Sequence, residues 1–73
     1  MTGKYYQHDL IMNYLDKHGS ITAMEAILEL GITKLSTRIS ELERRGVRFE
    51  KQWEEGKNRY GAAERHLRYR LAA

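Results

Sequence analysis

The 73-residue chain contains no cysteine and no proline. Without cysteine there is no disulfide framework and no thiolate metal site, a composition that suits the reducing cytosol and a cytoplasmic protein. Without proline or low-complexity runs, nothing marks a disordered linker. No stretch approaches the roughly 18 consecutive apolar residues of a membrane helix, and the opening MTGKYYQHD has no apolar signal-peptide segment. No membrane partner is expected. His8, His18 and His66 stand far apart, so neither a metal nor another cofactor is expected. His8, Asp9 and Asp16 have no nucleophile at recognisable spacing, and no glycine-rich phosphate loop is present. No catalytic residue and no enzymatic activity are assigned.

The length suits one domain, residues 1–73, which at this size buries only about 60% of its unfolded surface. Its clearest stretch is TAMEAILELGITKLSTRISELERRG, residues 22–46. Thr22 and Glu25 have the spacing of a capping box, in which each side chain closes an unpaired backbone N–H of the other. Met24, Ile27, Leu28 and Leu30 follow at three- and four-residue spacing, and Gly31 suits a left-handed helix end, giving a helix over about 23–30. Thr33 can cap a second helix, over about 34–45, in which Leu35, Ile39 and Leu42 form one narrow apolar stripe before Gly46. Two short helices joined by a tight turn make a helix-turn-helix.

The face of the second helix away from that stripe holds Thr33, Thr37, Ser40, Glu41 and Arg44, flanked by Lys34, Ser36 and Arg38. Short hydroxyls and cations let a helix approach phosphates and base edges closely, so double-stranded DNA is the expected partner. The bland alternative is that the hydroxyls merely cap and solvate the helix. Arg38 flanks the stripe, and two placements stay open for it: facing DNA, or pairing with Glu41 or a carboxylate of the preceding helix.

Upstream, Tyr6, Leu10, Ile11, Tyr14 and Leu15 predict an amphipathic helix over about 5–18, its aromatics placed in the core; Ser20 and Ile21 fit a very short strand. Downstream the period falls to two. Val47, Phe49 and Trp53 alternate with polar residues, as do Leu67, Tyr69 and Leu71, giving two strands of a hairpin over about 47–71 with Phe49 and Trp53 inward. Two turn positions stay open, near Arg59 or at 61–63, the latter with a bulge at Gly56; Lys57 and Arg59 lie near the tip on either register.

Charge is divided along the chain. Residues 1–43 carry four Lys/Arg against six Asp/Glu, whereas residues 44–73 carry nine against four, seven of the nine being Arg. The polyanion-binding potential therefore sits in the second half, within a formal net charge of +3.

Three helices followed by a hairpin form an α+β winged helix-turn-helix arrangement. The run from Gly19 to Gly46, the segment WEEGKNRYG and the closing RYRL resemble the small winged helix-turn-helix domains common in bacteriophage and prophage genomes. The resemblance covers nearly the whole chain. It includes the pattern of Glu25, Ala26, Leu30, Gly31, Ile32, Arg38, Ile39, Leu42 and Gly46, and an Asn-Arg-aromatic-Gly turn at 58–61; Ala62-Ala63 departs from it. It implies DNA binding and names no operator.

The expected DNA-binding set is thus Thr33, Lys34, Ser36, Thr37, Arg38, Ser40, Glu41, Arg44, Lys57 and Arg59. A phage-type transcriptional regulator is the first expectation; a recombination accessory protein and a protein-interaction module are the alternatives. With no heptad and no free apolar helix foreseen, the chain is expected to be monomeric in solution and to pair only on DNA.

Overall fold

The computed structural model describes residues 4–57 and 59–72. Helix α1 (Lys4–His18) buries His8, Ile11 and Leu15, a row at i, i+3 and i+7. Tyr6, expected in the core, is 50% exposed: position 8 rather than 6 lies on the line of Ile11 and Leu15, so a histidine takes the inner place of that turn. Strand β1 (Ile21–Thr22) falls one residue later than the pattern indicated, and Thr22 also starts the next helix.

That start is a complete capping box, Glu25 N–H donating to Thr22 Oγ1 at 3.2 Å and Thr22 N–H to Glu25 Oε1 at 2.9 Å. Helix α2 (Ala23–Glu25) passes directly into a π-helical segment (Ala26–Leu30) that ends at Gly31, where φ is 68°. The structure overturns the expected apolar face. Ala26 and Leu30, four residues apart, take the inner side, while Met24, Ile27 and Leu28 stand 55%, 43% and 72% exposed. An apolar ridge that was not foreseen therefore lies on the surface.

Helix α3 (Leu35–Arg44) buries Leu35, Ile39 and Leu42. Its N-cap is Lys34 and no side chain caps it, so the cap expected of Thr33 is absent; Lys34, at ψ 58°, has neither the extended backbone nor the short side-chain oxygen of a cap. Beyond α3 the chain enters strand β2 (Phe49–Lys57) and returns as β3 (Ala63–Leu71), paired antiparallel from Phe49↔Leu71 to Lys57↔Ala63. The register is unbroken, so Gly56 opposes Glu64 with no bulge and the connection spans 58–62, between the two turn positions the sequence left open. Asn58 lies outside the described residues. The sheet order is β1-β3-β2, with Ile21 opposite Tyr69.

The core joins Ile11, Leu15, Ile21, Ala26, Ile32, Leu35, Ile39, Leu42 and Tyr69. Phe49 packs against it, edge-to-face on Tyr69 at 6.5 Å. Trp53, expected beside Phe49 on the inner face of the core, is 58% exposed. The reason is reach. The helices and β1 cover the sheet as far as Leu67 on the central strand β3, whereas Trp53, level with Leu67, sits on the edge strand β2, outside that cover.

Candidate nucleic-acid interface

Helix α3 rests on the core through its apolar stripe and turns Ser36, Thr37, Ser40 and Arg44 to solvent; Thr33 and Lys34, just before it, are exposed too. These six side chains form one band of short hydroxyls and cations. Hydroxyls can donate or accept at base edges, and the cations suit phosphate or guanine.

Arg38 and Glu41 do not join that band. Arg38 Nη1 donates to Glu41 Oε1 at 2.8 Å, and the same carboxylate oxygen lies 2.8 Å from Nε2 of His8, whose side chain is only 2% exposed. Arg45 Nη1 lies 3.1 Å from His8 Nδ1. A guanidinium can only donate, so His8 accepts at Nδ1 and donates at Nε2, the one tautomer that satisfies both neighbours. Glu41, expected to face bases, is thus turned inward: a carboxylate between Arg38 and a buried imidazole gains charge-assisted hydrogen bonds that it would lose beside DNA phosphates. Of the two placements open to Arg38, the structure has the ion pair. His8, passed over by sequence reasoning, couples α1 to the recognition helix at Glu41 and at Arg45; its three-residue spacing from Ile11 was the available signal.

On the hairpin, Lys57 and Arg59 are exposed on either side of position 58. The two faces of the sheet differ. On one, Arg68 is held by Glu54 (2.9 Å), Glu25 (3.2 Å) and Ser20 (2.9 Å). The hydrogen bond to Glu54, offset by burial and reinforced by Glu25, raises the Arg68 guanidinium above its ordinary pKa, and the side chain is committed to fastening sheet to helix. The other face carries Lys51, Trp53 and Lys57 on β2 and Arg65 on β3. Lys51 bridges to Glu43 of α3 at 3.3 Å, and the Arg65 guanidinium lies 4.6 Å from the centre of the Trp53 ring. The candidate interface therefore runs from α3 across this face to the tip. Trp53 and Arg65 were missed because alternation alone cannot tell an inner-face residue over the core from one beyond its edge.

Among the described residues no group of three or more His, Asp or Glu is placed to hold a metal, and no helix is long and apolar enough to cross a membrane. The three helices, the tight turn between the second and third, and the C-terminal hairpin define a winged helix-turn-helix domain. The family model described as winged helix-turn-helix domain matches residues 6–73, and the chain belongs to that family. Neither the curated proteins nor the solved structures give a match. Membership points to DNA binding, in a family whose members are generally not enzymes.

Proposed function

We propose that this protein binds double-stranded DNA sequence-specifically as a cytoplasmic transcriptional regulator of phage or prophage type, without catalytic activity. Helix α3 enters the major groove, where Thr33, Lys34, Ser36, Thr37, Ser40 and Arg44 meet base edges and adjoining phosphates, while Lys57 and Arg59 hold the backbone or the minor groove. The observation that carries this reading is the row of small hydroxyls and cations on the solvent-facing side of α3, where Glu41 is turned inward to His8 and the exposed Glu43 is paired with Lys51. The same contacts would serve a recombination accessory protein, which differs in where it sits on DNA rather than in how it binds. Selection of sites from random duplexes tests the proposal: a recurring motif is expected, and a pool that never enriches would refute sequence specificity.

The exposed Met24, Ile27 and Leu28 ridge favours a second reading, a protein-binding module. A salt series separates the two. DNA affinity should fall linearly in log–log form as counterions compete, whereas an apolar contact should respond little.

A further inference from the structure

We infer that Trp53 and Arg65 form a binding site for the sugar–phosphate backbone of duplex DNA, between the recognition helix and the wing tip; the inference rests on the DNA-binding reading above. An indole that is 58% exposed contributes little to the core, since only apolar area removed from water stabilises the fold. Trp53 is nevertheless ordered by its neighbours. Leu67 stands opposite it on β3, and the Arg65 guanidinium lies over its ring. A guanidinium carries five N–H donors, more than contact with one ring can occupy, so donors stay available for an anion. No carboxylate among the described residues pairs with Arg65, although Glu55 is its register partner; Arg38 and Arg68, by contrast, are tied to carboxylates.

Position supplies the rest. Trp53 shares its sheet face with Lys51, which touches α3 through Glu43, and with Lys57 near the tip. At about 3.3 Å per residue it lies roughly 7 Å beyond Lys51 and roughly 13 Å short of Lys57. A duplex lying against both α3 and the tip must pass over it. Glu55 is the one carboxylate of β2 on that face, while Glu54 and Glu64 lie on the other, the former ion-paired to Arg68 and the latter 3.6 Å from the His66 imidazole. An apolar plane beside an unpaired guanidinium suits a deoxyribose and its phosphate, the indole packing on the sugar and Arg65 donating to the oxygens. Because every nucleotide has both, the site adds affinity without base preference.

Trp53 is the sole tryptophan, so fluorescence reports on it alone. Titrating the full chain with a selected duplex should change the emission in step with binding measured by gel shift. Trp53→Ala and Arg65→Gln should each melt like the wild type, weaken that duplex and random duplexes equally by about tenfold, and keep the selected motif; Arg65→Gln should also lower the salt slope by about one unit. Trp53→Phe, which keeps an aromatic plane, should retain most of the affinity and covers the case in which the alanine variant fails to fold. Unchanged Trp53 emission with saturating duplex would overturn the site while leaving the DNA-binding reading standing. No duplex binding at all would overturn both. Tighter binding and larger quenching by single-stranded oligonucleotide than by duplex would overturn the backbone site in favour of a platform for unpaired bases.

Discussion

His8 is the residue on which the presentation of the recognition helix turns. It is 1% exposed, and each ring nitrogen meets a side chain of the α3 region, Glu41 on one side and Arg45 on the other. Removing the imidazole would leave a cavity and take one hydrogen bond from a part-buried carboxylate, so His8→Ala should cost about 2 kcal/mol. Tyr6→Ala, half-exposed two positions earlier, should stay within about 0.5 kcal/mol of wild type. Urea unfolding of the two variants measures the contrast; equal midpoints would show that the His8 bridge adds no stability. Thr37 belongs to the proposed reading surface instead. Thr37→Ala should leave the midpoint unchanged and relax preference at one or two base pairs by about 1 kcal/mol, measured by competition with single-substituted sites.

At the scale of elements, the helix-turn-helix depends on the short link between the π-helical segment and α3. Gly31 closes that segment in the left-handed region, at φ 68°, and a Cβ there would meet nothing within 4 Å. Strain alone should therefore act. Gly31→Ala is expected to destabilise by about 1 kcal/mol, which for a domain of this size lowers Tm by roughly 4–8 °C in a calorimetric scan. The wing tip should behave differently. Lys57 and Arg59 are exposed and remote from the core, so Lys57→Ala and Arg59→Ala should leave Tm unchanged. Each should weaken specific and random duplexes alike and reduce the salt slope by about one unit per lost phosphate contact. If Arg59→Ala instead abolished discrimination at particular base steps with its salt slope intact, the tip would be reading the minor groove.

For the molecule as a whole the open quantity is assembly. A single module of this kind buries about 600–1,000 Å² on DNA, small for a working regulator, so two copies on paired half-sites are expected. The sequence offered no free apolar helix to join them, yet the ridge of Met24, Ile27 and Leu28 is exposed. Three side chains remain far fewer than the roughly 20 to 30 residues per side of a stable interface. The free chain is therefore expected to sediment as a monomer at micromolar concentration, with pairing confined to DNA that holds two copies together. A stable dimer in the absence of DNA would show that the ridge, or another surface, is a stronger interface than its size indicates.

Signals carried within a few residues were legible along the chain. Thr22 and Glu25 close their capping box, Gly31 and Gly46 take left-handed backbone, and Leu35, Ile39 and Leu42 bury as their spacing requires, because each depends on atoms no more than two turns apart. The winged helix-turn-helix class followed from those signals and the two alternating segments. Contacts between distant segments settled what periodicity left undetermined. Whether Glu41 faced DNA or the interior depended on His8, 33 positions away, and the fate of Arg38 went with it. Met24, Ile27 and Leu28 turn outward because Ala26 and Leu30 take the inner side of their helix, a choice between two apolar faces that packing on the core decides and spacing does not. Trp53 reads as a core residue by alternation and stands in solvent because burial belongs to the layer lying over a strand, and here that layer ends before the strand does.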